Sequence, residues 1–406
     1  VNISREYQVS FLMAGTAFFT LAGYEFIRSS STVLFKTAYG AENLPLVLAA
    51  MPFVVFAGVA LYGRILTHLG PRRTLMVTSM GSLMLIVACY LAVLSGSKMI
   101  TPVLYLTKEF YIVLLIEQYW SYINSSIKAG TARKVNGPIT FVSGLGATAG
   151  GHLLGIAAEP LGTATMVLLG GLFILPAVAL GDYTYRRFGE PERPPTEKAS
   201  SDMGWSLFKE NPVLVYLLAI VLSSQMVSIV LDLKFQELLS LQFVGEPDKE
   251  TAFQGRFFGS LNLASGLLQV AIAPLLMTAV SLRFIHICLP LIHFVAIGYA
   301  FIEPSVWSVG VAFFLFKALD YSIFRAAKEI LYIPLSFDAR YRAKEDIDVF
   351  GYRTGKGATS VAIVVLQRAG VVMGNFYLGM ALVATAVWLL LIFPLTSKAE
   401  ATQDED

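Results

Sequence analysis

Charge is scarce in this chain. Lys, Arg, Asp and Glu together make up 14% of its 406 residues, against about 25% in a soluble domain. The 30 basic and 28 acidic residues leave a formal net charge of +2. That balance supplies no basic surface for nucleic acid and no charge excess of the kind that keeps a chain disordered. Cysteine is scarcer still. Cys89 and Cys288 sit in apolar runs far apart, with no CxxC and no Cys/His ligand spacing. Neither a disulfide framework nor a metal site is expected, and both read as small buried hydrophobes. A phosphate loop is missing too. Thr354-Gly355-Lys356-Gly357 has no glycine five positions before Gly355 and no Ser or Thr after the lysine, so the GxxxxGK[ST] pattern fails. With no nucleophile–base–orienter set either, no catalytic residue and no cofactor is expected, and the chain does not read as an enzyme.

Apolar residues are plentiful. AVILMFWYC account for 56% of the chain, and the mean hydropathy is +0.66. Twelve helices of about 20 residues would use about 240, close to the apolar share available. The reading is a polytopic helical protein of the lipid bilayer. Runs long enough to span fall at 10–35, 44–66, 74–95, 102–124, 138–158, 163–182, 211–240, 255–280, 284–303, 305–332, 351–372 and 374–396. The first residues, VNISREYQ, carry no cleavable-signal pattern, so Phe11 onward is expected to be a membrane helix that stays.

The longest polar interruption, Asp182–Asn211, divides the spans six and six. The expected organisation is therefore an N-terminal bundle over 1–182, a linker over 183–210, a C-terminal bundle over 211–397 and a tail over 398–406. Trp205–Lys209 is amphipathic enough to lie on a membrane surface. Basic residues set the orientation: Arg72, Arg73, Lys128, Arg133, Lys134, Arg186, Arg187, Arg193, Lys198, Lys209, Arg283, Arg340, Arg342 and Lys344 share one side, while the opposite loops carry little more than Lys36, Lys98, Lys249 and Arg256. The richer side is cytoplasmic, and both termini lie there. Six plus six helices around a charged central segment is the layout of major facilitator transporters: all-α, two pseudo-symmetric six-helix bundles, a cavity between them. Gly63 to Arg73, after the second span, resembles that superfamily's cytoplasmic signature, with Thr67 where an acid usually stands. His68 falls in it as a solvated residue.

Ionisable side chains inside spans cost a few kcal/mol each on insertion scales and are functional candidates. They compete with a plainer reading, helix–helix pairing or snorkelling. Glu25 and Arg28 share a face of the first span and are spaced to pair with each other. The fourth span carries Lys108, Glu109 and Glu117, with Glu117 near mid-depth and Lys108 close enough to the outer end to snorkel. Asp232, Lys234 and Glu237 lie in the seventh, where Lys234 and Glu237 are spaced as a gate pair. Lys317 and Asp320 lie in the tenth, followed by Arg325, Lys328 and Glu329. Arg353 and Lys356 share a face of the eleventh, and Asp348 is a candidate gate partner of Lys356. Five cations at depth, Arg28, Lys234, Lys317, Arg353 and Lys356, suit a multiply charged anion such as a phosphate ester. Gly355 and Gly357 are expected to leave room beside Lys356 for a bulky ligand. Gly144 to Gly151 reads as a helix-packing face. His152, His286 and His293 read first as ordinary buried histidines, with a proton-coupling role as the alternative. Tyr119, Trp120, Tyr122 and Tyr321 are available to stack on a base, although most aromatics must be packing residues.

At the junction of the tenth and eleventh spans the pattern is specific. Ala327-Lys328-Glu329-Ile330-Leu331-Tyr332-Ile333-Pro334-Leu335, then Lys344, Ile347-Asp348-Val349 and Gly355-Lys356, resemble the ATP/ADP translocase (nucleotide transporter) family of plastids and intracellular bacteria. Tyr24 with Arg28, Glu109-Phe110, Tyr119-Trp120 with Asn124, Ala132-Arg133-Lys134 and Lys234 agree with it. The resemblance implies a twelve-helix transporter that exchanges or imports nucleotides by alternating access, monomeric, in a bacterial plasma membrane. It implies Arg28, Glu109, Asn124, Lys234 and Lys356 as substrate-binding residues, to which the depth argument adds Lys317 and Arg353. Glu25, Glu117, Asp232, Asp320, Lys328 and Asp348 are left as gating or coupling residues. Ser31 stands where the translocases carry a basic residue, so the expectation is an anionic, nucleotide-like substrate. Two alternatives stay open: a proton-coupled importer of another solute, and a membrane scaffold or sensor that transports nothing.

Overall fold

A computed structural model of the chain describes residues 4–190, 208, 211–333, 347 and 351–404. Among these the structure is helical, with no strand. Helices α1 (Arg5–Tyr39), α2 (Leu44–Leu94), α3 (Ile100–Ser126), α4 (Ala129–Leu161), α5 (Thr163–Leu172) and α6 (Ile174–Phe188) follow one another closely. After the stretch that begins at Pro191 come α7 (Pro212–Gln242), α8 (Pro247–Leu267), α9 (Ala273–Ala279), α10 (Leu282–Ile302), α11 (Val306–Leu319), α12 (Arg325–Leu331), α13 (Tyr352–Arg368) and α14 (Phe376–Asp404). The amphipathic stretch Trp205–Lys209, Phe208 apart, lies outside the described residues. Among the described residues, π-helical turns interrupt the series at Leu268–Ile272, between α8 and α9, and at Asp320–Phe324, between α11 and α12.

Local signals explain several of the boundaries. Gly40 ends α1 with φ 84° and returns its N–H to the Lys36 carbonyl, a backbone conformation that a residue with a Cβ adopts only at a cost. Gly70, φ 75°, breaks the helical path inside α2. Ser281 caps α10, and Ser305 with Ser308 forms a reciprocal capping box on α11.

Nine segments among the described residues are long and apolar enough to cross a membrane. Burial is inverted relative to a water-soluble protein. Phe53 and Phe56 are 75% and 78% exposed, whereas Ser29, Ser30 and Ser31 are fully buried. Apolar side chains outward and polar ones inward is the arrangement that lipid rewards. The chain is a multi-pass helical membrane protein.

The helices gather into two compact units. In the first, α1 is central and packs against α3, α4, α5 and α6; α8 belongs to this unit, and its core surrounds Ile27, Ile86, Leu104, Tyr111 and Val167. Cys89 is buried there. The second unit gathers α7 and the elements from Leu267 onward, with the first turns of α2. There α7 packs against α11, α13 and α14, and α10 against α11 and α14.

The glycine-rich run of α4 is a packing face, as its composition implied. A Cβ on Gly146 or Gly150 would strike the α1 backbone at Phe18 or Ala22, and one on Gly151 or Gly155 would strike α8 at Gly259 or Arg256. Helix α1 also extends past the expected end of the first span. Lys36, expected in an outer loop, lies within it and is buried.

Candidate functional site

Each unit carries a cluster of charged side chains, and the two clusters differ in charge balance.

In the first unit, Glu25, Arg28, Thr32 and Lys36 recur every three or four residues and share one face of α1. Glu250, Gln254, Phe258 and Asn262 recur every four on α8. The two stripes meet. Asn262 donates to Glu25 Oε1 at 2.9 Å, the Arg28 guanidinium lies 3.5 Å from the centre of the Phe258 ring, and Lys36 pairs with Glu250, which also accepts from Gln254 at 3.1 Å. Glu25 and Arg28 bridge each other at 2.9 Å, and the Tyr24 ring centre lies 5.8 Å from the guanidinium. Helix α3 contributes Lys108, which donates to Thr32 Oγ1 at 3.0 Å, lies 3.5 Å from the Tyr105 ring centre and is 3.9 Å from Glu109. Lys108 is 2% exposed, so it does not snorkel. It belongs to this cluster, and its place was readable from its spacing to Tyr111, Leu115 and Tyr119, all buried on one face. Cations and carboxylates in this cluster are matched.

Two expected members stay apart from it. Glu117 and Asn124 are exposed on α3. Asn124 is fifteen residues beyond Glu109, a rise of about 22 Å along the helix. Tyr119 and Tyr122 are core residues, bonded to Ser143 and to the Gly189 carbonyl. Ser31 is buried, and its hydroxyl donates to the Arg28 carbonyl at 3.2 Å.

In the second unit the centre is Lys317. Its ammonium donates to Ser228 Oγ on α7 at 2.7 Å and to the Tyr321 hydroxyl at 3.3 Å, with the Phe313 and Tyr321 rings beside it. These partners are neutral, so they fix the lysine without cancelling its charge. Asp320 is buried one turn on, and Lys317, Arg325, Lys328 and Lys356 all stand within electrostatic reach of it. Lys356 also acts on Tyr321, and Asp232 acts on Lys317. Even with Asp232 counted, positive charge is in excess among these groups. Tyr321 is exposed and Lys356 half-buried.

The remaining candidates fall around this centre. Lys328 is buried, with its ammonium 4.9 Å from the Tyr352 ring centre. Lys234 is buried on α7 and paired with Glu237 at 3.2 Å, the arrangement its spacing suggested, and Asp232 accepts from Gln236 at 3.5 Å. Arg353 lies on α13, but its side chain, like the whole of Asp348, lies outside the described residues. The glycines beside Lys356 do not open ligand space. A Cβ on Gly355 would meet Gln225 at 3.0 Å and one on Gly357 would meet Pro52 at 2.5 Å, so both serve close packing. His286 and His293 are buried against aromatic rings, His286 on Phe324 and His293 on Phe316 and Trp388. His68 is exposed. Among the described residues no group of His, Cys, Asp and Glu is placed to hold a metal ion.

Comparison with known proteins bears on both the fold and this second cluster. Residues 263–398 match the family model of the TLC ATP/ADP transporter, a stretch that contains Lys317, Asp320, Lys328, Arg353 and Lys356. The resemblance carried by residues 327–356 is borne out by that match. No curated protein matches the chain significantly. Among solved structures, a bacterial homologue of the iron transporter ferroportin in its inward-facing state superposes with a TM-score of 0.72 at 11% identity, over 96% of this chain and 99% of that one. The nucleoside transporter NupG gives 0.65 at 12% identity, over 97% and 99%. A D-xylose–proton symporter gives 0.65 at 14%, over 94% and 97%. At such identities the likeness is one of fold.

Proposed function

We propose that this membrane transporter, with the family match in its C-terminal third as premise, carries a phosphorylated anion, a nucleotide of the ATP/ADP type, by alternating access. The observation that carries the reading is the buried Lys317 ammonium, held by the Ser228 and Tyr321 hydroxyls within the matched stretch. A cation held at depth by neutral partners costs a few kcal/mol in a membrane. An incoming anion offsets that cost, at about 4 kcal/mol for a unit pair 4 Å apart in an effective dielectric near 20. Lys317 and Lys356 take the phosphate chain, with Arg353 on the same helix as Lys356. The first-unit cluster, whose charges are already matched, holds Arg28 beside the Tyr24 and Phe258 rings, a surface suited to a base or ribose more than to a phosphate.

The accompanying architecture is twelve crossings in two six-helix bundles, 1–182 and 211–397, joined by a linker, with both termini cytoplasmic in a bacterial plasma membrane. Nine spans among the described residues meet the apolarity criterion. Helix α2, 51 residues long, would measure about 77 Å unbroken against a hydrocarbon core of about 30 Å, so Gly70 turns it into two crossings. Helix α3 carries Lys108, Glu109 and Glu117, and α13 is 17 residues long with Lys356 inside it; both supply crossings whose polarity belongs to the substrate path.

Thermal-shift measurement on the purified full chain tests the substrate. ATP or ADP at 100 times its dissociation constant adds about 2.7 kcal/mol of stability, and a clear rise in Tm is expected. A rise with a sugar or an uncharged nucleoside and none with nucleotides would overturn the reading.

A further inference from the structure

Neither charged cluster accounts for a groove of about 450 Å³ at one end of the first unit. Three helix ends meet there. Arg5, at the start of α1, donates to the Phe188 carbonyl at the end of α6; Arg187 of α6 donates to Gln8 Oε1 at 3.2 Å; and Thr131, in the first turn of α4, donates to Glu6. The volume falls within the range of about 300–1,000 Å³ usual for small-molecule pockets.

The lining changes character with distance from the helix ends. Nearest them it is polar, with Tyr7, Gln8 and Arg187; further along α1 and α4 it is apolar, with Phe11, Leu12, Ile139 and Val142. Phe11 lies in a segment able to cross a membrane and is 76% exposed, an apolar rim suited to hydrocarbon. Two polar groups in the groove want a partner. Arg187 donates to the Tyr183 hydroxyl at 2.8 Å and to Gln8, both neutral, and among the described residues no acid lines the groove. Glu6, the nearest acid on α1, is engaged by Thr131, while Lys134 is exposed one position before the lining residue Val135. Ser10 also lines the groove. It is 3% exposed, and its Oγ has no hydrogen-bond partner among the described residues. Hydroxyls inside helices commonly bond the carbonyl four residues back, as Thr16 and Thr20 do on this same helix. A buried hydroxyl without a partner costs free energy, which an acceptor on a ligand would remove.

We propose that this groove binds one anionic phospholipid, with its phosphate on Arg187, a glycerol-ester oxygen accepting from Ser10 and an acyl chain along the α1–α4 wall. Phosphate, ester and hydrocarbon follow one another in the lipid as cation, hydroxyl and apolar wall do in the groove. Basic pockets between membrane helices suit anionic headgroups. A soluble phosphate compound would use only the Arg187 end, and the apolar wall is what selects a lipid.

Native mass spectrometry of the full chain in detergent, titrated with phosphatidylglycerol or phosphatidylcholine of matched chains, tests the assignment. Wild type is expected to retain one phosphatidylglycerol at a concentration about tenfold below that needed for phosphatidylcholine, the effect of one charge-assisted contact. Arg187→Gln should erase that preference and Arg187→Lys keep part of it. If Arg187→Gln does not fold, Val142→Trp, which fills the apolar wall, is expected to lose retention of both lipids. Ser10→Ala separates a ligand contact from a structural one. It removes an unpartnered hydroxyl, so the Tm of lipid-free protein should hold or rise while phosphatidylglycerol affinity falls about threefold to tenfold. Equal retention of the two lipids by wild type, a preference that survives Arg187→Gln, or unchanged affinity in Ser10→Ala would each overturn the proposal. So would glycerol 3-phosphate bound as tightly as the lipid.

Discussion

Lys317 and Lys356 are both lysines in a cluster that an arginine would fill differently. An ammonium held by Ser228 at 2.7 Å and Tyr321 at 3.3 Å is a point charge with one donor direction left over, whereas a guanidinium would need space for a planar fork. Charge-assisted hydrogen bonds are worth about 1.5–3 kcal/mol each. Lys317→Met and Lys356→Ala are each expected to weaken ATP binding by about tenfold to a hundredfold, and Lys317→Arg should be damaging as well, read by isothermal titration with ATP. Lys356→Ala with unchanged affinity but lost flux would assign that residue to a gate. The identity of this cluster was legible in the sequence, because charge at depth and the pattern around 327–356 both pointed to it. Which partner each charge takes was not. Span hydropathy reports depth but not azimuth, so Lys108 was placed at an interface although its face of α3 is core, and Lys36 was placed in a loop because only the Gly40 cap reveals that α1 continues to Tyr39.

At the scale of helices, the seam between α1 and α8 has a matched ion pair at one end and the Glu25–Asn262 contact toward the other. Removing one partner of a buried pair strands the other charge, at about 3–5 kcal/mol, whereas replacing both with apolar residues is often near neutral. Lys36→Met is therefore expected to lower Tm well below wild type, and Lys36→Met with Glu250→Leu to recover most of the loss. A double variant less stable than the single one would contradict the pairing. Glycine patterns illustrate what sequence alone resolves here. The run Gly144 to Gly151 was identifiable as a packing face because repeated small residues on one helix face admit another backbone. The pair flanking Lys356 was misassigned as ligand space, because small residues at a site look alike whether the neighbour is a substrate or, as here, Gln225 and Pro52.

At the scale of the whole chain, composition alone gave the class: apolar residues at 56% with charge at 14% leave a multi-pass membrane protein. The likeness to solved transporter structures at 11–14% identity is one of fold, and the family match over residues 263–398 is what the proposed role of the charged clusters builds on. The central claim is that the chain moves a nucleotide through use of Lys317 and Lys356. Proteoliposomes containing the full chain and preloaded with unlabelled ATP, placed in labelled ATP, test it most directly. The account predicts saturable accumulation of label by wild type, competed by ADP, and its loss in Lys317→Met and Lys356→Ala reconstituted to the same density. No accumulation by wild type, or accumulation that survives both substitutions, would contradict it.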